Sequence, residues 1–454
     1  MSAAPIADFV RGYAASDVSR LHMPGHKGRG PLGCEALDLT EIAGADELYA
    51  PQGVIAASEA AAARLFGTAA TYYGAEGSSQ CIRAMAFLAL QAAPPGPGRP
   101  VLLAARNAHK ALLYAAALLD FDIAWVWPGP QAGDSLCACP VDPARLAAAF
   151  DRLAREGRRP FAVYLTSPDY LGGVQDIGPL AALCRRRGVP LLVDNAHGAY
   201  LRFLSPSRHP MDLGADLCCD SAHKTLPVLT GGAYLHVSPT ALAHYEHEAR
   251  QAMALFGSSS PSYLILQSLD ACNRSLAGDY RERLKEAVRR LEQLKARLID
   301  RGVPVRPGEP LKLVVDGWAV GLSGYELADL LRQNGVEPEY ADPDEVVLMY
   351  SADVAGSDFQ RVEKAFSQFR PGHRRTPAAL PASGKQVLSP REAMLSPWEE
   401  VTVREAAGRI CAGAAVSCPP AIPIAVSGER ITAEAAALMA ELGFETVSVV
   451  QKMV

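Results

Sequence analysis

Asp216-Leu-Cys-Cys-Asp-Ser-Ala-His-Lys-Thr225, continued by Leu-Pro-Val-Leu-Thr-Gly231-Gly232-Ala, is the stretch on which the fold turns. A short apolar run ends at a polar corner holding Ser221, His223 and Lys224, and a glycine pair follows. A lysine just past a buried strand is badly placed as a solubilising charge. Upstream, Leu191-Leu-Val-Asp194-Asn-Ala-His197-Gly-Ala-Tyr200 repeats the pattern, an apolar run ending in an aspartate. Open α/β sheets place ligands at the C-terminal ends of their strands, where both residues would lie. Working outward, β-rich runs at 101–105, 123–127, 161–167, 190–195, 217–221 and 232–237 alternate with Ala/Leu-rich segments of helical length. Runs apolar throughout fit strands buried on both faces, with helices as the crossovers of a mostly parallel sheet.

Composition narrows the class. The 454 residues are 49% apolar and 20% charged, enough for a large core, and 38 Gly with 34 Pro stay below the roughly 25% that marks low complexity. A net charge of -5, from 44 basic and 49 acidic residues, offers no basic excess to neutralise a phosphate backbone, so nucleic acid is not an expected partner. The first twenty residues lack a basic n-region and apolar h-region, and no stretch has the 18 or so apolar residues of a membrane span. A cytoplasmic location and no membrane partner are expected. Ten cysteines contain no CxxC pair and read as free, small core residues. His244 and His247 have the spacing of one helix face, but nothing nearby completes a tetrahedral site, so no metal is expected.

Residues 264–301 read as one long, charge-laced helix, followed by a small α+β unit from runs at 311–315, 318–322, 325–333 and 346–350. A Pro/Gly/Ser-rich stretch then reads as a linker. The expected organisation is an N-terminal segment 1–55, a large domain 56–262, a helix and small α+β domain 263–369, a linker 370–395 and a C-terminal domain 396–454.

Lys224 and Asp194 together suggest a lysine that forms a Schiff base and a carboxylate that pairs with a protonated ring nitrogen, the arrangement that serves pyridoxal phosphate. A phosphate cradle should then precede them. Gly74-Ala-Glu-Gly77-Ser78-Ser79-Gln80 opens a helix expected over 81–92, where backbone N–H groups, two hydroxyls and the helix dipole face an anion.

At this point the series of motifs resembles the Orn/Lys/Arg decarboxylase family. It runs, in order, through Leu21-His-Met-Pro-Gly-His-Lys-Gly28, Asp38-Leu-Thr-Glu41, Asp46-Glu-Leu48, Gly77-Ser-Ser79, Arg106-Asn-Ala-His109-Lys110, Thr166-Ser-Pro168, Asp194-Asn-Ala-His197-Gly198, Ser221-Ala-His-Lys-Thr-Leu226, Pro390-Arg-Glu-Ala393 and Pro419-Pro-Ala-Ile-Pro423 to Gly428-Glu429. The resemblance implies a fold type I pyridoxal-phosphate enzyme of aspartate-aminotransferase-like architecture: a large α/β domain with a mostly parallel sheet, a small α+β domain and a C-terminal domain. The implied reaction is decarboxylation of lysine, arginine or ornithine to the amine and carbon dioxide. Amino transfer or aldol cleavage on the same cofactor is the alternative, and a non-catalytic paralogue would be expected to lack Lys224 or Asp194. A homodimer with active sites at its interface is expected. The Pro-Gly-His-Lys element begins about twenty residues in, so the N-terminal wing of larger members, and their ring assemblies, are not expected.

The resemblance also implies roles. Lys224 would hold the cofactor, Asp194 would keep its pyridine nitrogen protonated, His109 would stack on the ring, and His197 would sit near the ring oxygen or the substrate carboxylate. Gly77, Ser78, Ser79, Ser221 and His223 would serve the phosphate, and His223 is also expected to return a proton to Cα. Glu429 is expected to meet the substrate's distal cation, with Asp46 and Glu47 as second choices. The chain departs from the family in carrying Glu76 before the phosphate glycine, where an inward carboxylate would repel the anion, and in Ser427 before Gly428-Glu429.

Overall fold

The computed structural model describes residues 4–96, 98–129, 136–367, 369–376, 384–416 and 422–451. Seven strands carry the α/β core: β1 Ala70–Gly74, β2 Val101–Ala105, β3 Asp122–Val126, β4 Pro160–Thr166, β5 Leu191–Asp194, β6 Leu217–Asp220 and β7 Ala233–Val237. The chain divides into two compact units, residues 1–94 with 177–284, and 95–176 with 285–454.

In the first unit the strand order is β1-β7-β6-β5. β5 and β6 run parallel, Val193 beside Cys218 and Asp194 beside Cys219, and β7 is antiparallel to both β6 and β1. The glycine pair after Lys224 makes the last arrangement fit. A Cβ on Gly232 would lie 2.3 Å from Val228, and Gly231 takes φ +100 against the Ala75 carbonyl. That closeness lets Gly231 C=O accept the Gly77 N–H at 2.8 Å.

In the second unit the order is β4-β2-β3, all parallel. All five residues of β2 are buried, as expected of a strand covered on both faces. A four-stranded antiparallel sheet pairs Lys312–Asp316 between Glu345–Met349 and Val305–Arg306. Farther on, Trp398–Thr402 pairs with Thr446–Val450, and Ala425, Ile431, Met439 and Val449 bury against Val314 and Val347.

Six expected strands are present with ends shifted by at most one residue, and two expectations fail. Residues 264–301 form two helices, Tyr263–Ala277 and Tyr280–Asp300, because Gly278 takes φ -93 and ψ -125, outside the helical region. Residues 318–322 are not a strand. Gly317–Val320 is a 3-10 turn closed by Gly321 at φ +75, where a Cβ would lie 2.2 Å from the His373 carbonyl oxygen. Part of the expected linker, 377–383, lies outside the described residues, while Gly372 and Arg375 donate backbone hydrogen bonds to Val320 and Trp318. The described cysteines are free, and nearly all are buried. Among the described residues no helix is long and apolar enough to cross a membrane.

Candidate active site

In the first unit the ends of β5 and β6 bring Lys224, His197 and Asp194 together. Lys224 sits in the one-turn helix Ala222–Thr225 immediately after β6, and its Nζ lies 3.0 Å from His197 Nε2. Asp194, at the last position of β5, is 2% exposed. Its Oδ1 accepts the Ala196 N–H at 3.1 Å and faces the Cys219 thiol at 3.6 Å. Parallel register explains the second contact, since paired residues of adjacent strands face the same side.

The expected anion cradle lies at the start of the helix Ser78–Gln91. Gly77 caps it at φ +69, a conformation glycine adopts without strain, and a Cβ there would meet nothing within 4 Å. The Ser221 hydroxyl donates to Ser78 Oγ at 2.8 Å, tying the Lys224 corner to the cradle. The buried Thr225 hydroxyl, one residue past Lys224, has no hydrogen-bond partner among the described residues. Ser79 is half-buried in the same first turn, where the Gln80 N–H donates back to Gly77 C=O at 3.2 Å and the Ser78 and Ser79 N–H groups precede any intrahelical acceptor. Glu76 is exposed, so the feared repulsion does not arise. Lysine, buried carboxylate, unpartnered hydroxyl and open glycine cradle fit pyridoxal phosphate.

His223 departs from its expected role as a proton donor. Its Nδ1 donates to Gly232 C=O at 3.0 Å, while burial and then the Lys224 charge outweigh that bond and hold the imidazole below its ordinary pKa. At neutral pH its Nε2 is therefore an acceptor. Asp46 is also engaged: its two oxygens accept the N–H groups of Glu47, Gln52, Gly53 and Ile55 at 2.8–3.0 Å. These bonds shape the entry to the helix Val54–Phe66 rather than waiting for a substrate. Glu47 is exposed.

In the second unit His109 caps the helix Lys110–Leu119, its Nδ1 accepting the Ala111 N–H at 3.2 Å with the residue exposed. Three residues earlier, Arg106 is fully buried and corrects the reading of Glu429. Its guanidinium makes two parallel bonds of 2.7 Å to the Glu429 oxygens and a third of 3.2 Å to Pro423 C=O. It lies 4.8 and 4.6 Å from the ring centroids of Trp125 and Trp127. Glu429, 2% exposed, also accepts the Val426 N–H. With both oxygens committed and its charge neutralised, Glu429 is a structural partner of Arg106 and not an open acceptor for a substrate cation. Arg106 carries no expected role, and its signal was the pair of tryptophans two residues apart, which present one face.

The match to a family spans both units. Residues 4–318 match the Orn/Lys/Arg decarboxylase major domain, and residues 374–446 match the C-terminal domain of the same family. An uncharacterized protein of Bacillus subtilis, YaaO, is 30% identical, the alignment covering 95% of this chain and 92% of that protein. An arginine decarboxylase of the same organism is 26% identical over 95% and 91%. The Francisella novicida lysine decarboxylase structure superposes with a TM-score of 0.81 at 16% identity, covering 98% of this chain and 81% of the other, a likeness of fold. With the Lys224 corner, the Asp194 strand end and the glycine cradle all in place, the chain belongs to the Orn/Lys/Arg decarboxylase family of pyridoxal-phosphate enzymes.

Proposed function

We propose that the chain releases the α-carboxylate of a basic amino acid as carbon dioxide, with Lys224, His197 and Asp194 at the reacting atoms and arginine as the first substrate to test. The observation that carries this reading is the 3.0 Å contact between Lys224 Nζ and His197 Nε2 at the strand ends that also present Asp194. Relatives named arginine decarboxylase, at 26–27% identity, favour arginine. Pyridoxal phosphate, when bound, supplies an aldehyde that captures an amine and a protonated ring that accepts an electron pair.

The chain's own residues do the rest. His197 Nε2 accepts from Lys224 Nζ and so orients the amine. Asp194, shielded from water and fixed by Ala196 N–H, holds a proton on the ring nitrogen through a charge-assisted bond. Gly77, Ser78, Ser79, Ser221 and Thr225 would surround the phosphate. His223, held by Gly232, positions the lysine turn. Of the three expected carboxylates, Glu47 is the one left exposed, and its carboxylate is the one offered to the substrate's distal cation. The working form is a homodimer in the cytoplasm serving polyamine formation, to be checked by sedimentation and cell fractionation.

The test is a visible spectrum with added pyridoxal phosphate, then mixing with arginine, lysine or ornithine while trapping carbon dioxide. A band lost in Lys224→Ala, with carbon dioxide from one substrate, supports the reading. A band without carbon dioxide would move the reaction to amino transfer or aldol cleavage, and no band would refute it.

A further inference from the structure

The strand ends that carry Lys224 and Asp194 have a second polar side. Cys219 turns toward Asp194, so strand alternation sends Cys218 and Asp220 to the opposite face. Across that face Cys218 pairs with His236 of β7, and His236 with Thr71 of β1. A row of hydrogen bonds follows the register. Thr71 Oγ1 lies 2.8 Å from His236 Nδ1, His236 Nε2 lies 3.2 Å from Asp220 Oδ2, and Asn195 Nδ2 donates to Asp220 Oδ1 at 2.7 Å. His209, from the segment between β5 and β6, adds its Nε2 at 3.0 Å to Oδ2. Asp220, Asn195, His209 and His236 are all 0% exposed.

The protons can be placed by geometry. Met211 N–H donates to His209 Nδ1 at 3.3 Å, so the His209 proton is on Nε2 and points at Asp220. Burial holds His236 below its ordinary pKa, and as a neutral ring it donates from Nε2 while accepting the Thr71 hydroxyl. Burial opposes ionisation of Asp220, yet the His209 and His236 contacts overcome it and hold the carboxyl far below its usual range. Three N–H donors therefore surround a buried anion, an arrangement in which each missing donor or acceptor is costly.

This anion lies one residue from both halves of the site. Asn195 directly follows Asp194, Asp220 directly precedes Ser221, and the Asn195 backbone N–H also bonds to Cys219 C=O at 2.9 Å. We propose that Asp220 is a positioning residue: it fastens the ends of β5 and β6 to each other and to β7, fixing Asp194 and the Ser221–Lys224 corner at the spacing the cofactor needs. The inference rests on the assignment of Asp194 and Lys224 to pyridoxal phosphate.

The test compares the unaltered protein with Asp220→Asn, which keeps the shape but turns an amide N–H toward other N–H groups. Two quantities are read on the folded protein: the dissociation constant for pyridoxal phosphate, by titrating the cofactor-free form, and the pH midpoint of the visible band. Asp220→Asn is expected to weaken cofactor binding by roughly tenfold, the scale of one unpaired buried donor, and to move the midpoint by about half a unit or more. Leu291→Ala, in the helix Tyr280–Asp300, serves as a control that lowers thermal stability alone, with both readouts unchanged. If Asp220→Asn fails to fold, the pair His236→Leu and His236→Gln decides, because only glutamine keeps an N–H toward Asp220: leucine should reproduce both shifts and glutamine restore them. A band whose affinity and midpoint stay within twofold and 0.2 units in these variants overturns the inference alone. No band in the unaltered protein overturns the cofactor assignment and the inference with it.

Discussion

Replacing Glu429 by glutamine removes one charge of a fully desolvated pair and leaves the Arg106 guanidinium buried. Side-chain exposures of 0% and 3% and two bonds of 2.7 Å put this contact at the buried extreme, where removing one partner costs about 3–5 kcal/mol. Glutamine keeps one acceptor, and Pro423 C=O and the faces of Trp125 and Trp127 still hold the cation, so the lower end applies, about 3 kcal/mol. For a unit of this size each kcal/mol shifts the melting temperature by roughly 2–4 °C, which gives a fall of about 6–12 °C by calorimetry. Glu429→Ala should lie beyond that. The double variant Arg106→Met/Glu429→Leu should be more stable than either single change, because it leaves no uncompensated charge behind. A Glu429→Gln fall below about 2 °C, or a double variant as unstable as the sum of the singles, would refute the reasoning that the pair's weight lies in desolvated charge.

Asp194→Ala should lower kcat by about 10²–10³ with a small change in KM, as expected when a fixed charge acts on the reacting state more than on binding; steady-state kinetics checks it. Asp46→Ala should destabilise by about 1–2 kcal/mol in denaturant titration while leaving KM unchanged, since its contacts are caps on backbone N–H groups. Burial raises the Asp169 carboxyl to about 6, against the Gly173 N–H bond that favours its charged form. The folded protein thus keeps this proton after the unfolded chain has lost it. Asp169 therefore disfavours folding progressively as pH rises from about 4 to 6, and Asp169→Asn should flatten that part of the stability–pH curve, read from urea midpoints at stepped pH.

Much of the first unit's site was legible because its parts are local. Lys224 and Asp194 each lie within a few residues of a strand end, and the Gly77–Ser79 cradle within two residues of a helix start, so apolar runs and turn residues located them, while His197 was drawn in by the family resemblance. Arg106–Glu429 was not legible, since 323 residues separate the partners and the tryptophans at 125 and 127, a signal for a cation, point to no particular carboxylate. The same holds for Asp220, whose donors arrive from β5, β7 and the segment carrying His209. The single helix expected over 264–301 failed for another reason. Helical periodicity continues on either side of Gly278, and the break is a backbone event that side-chain pattern does not record.

The tryptophans that flank Arg106 also give the molecule an optical asymmetry. All four tryptophans, at 125, 127, 318 and 398, fall in the second unit, and the first contains none. Emission excited at the red edge of the absorption band thus originates in the second unit, with the pair at Arg106 supplying two of its four emitters, and none comes from the segment that carries Lys224. A far-ultraviolet dichroism transition that precedes the fluorescence transition on heating would assign the earlier event to the lysine-bearing unit without any label.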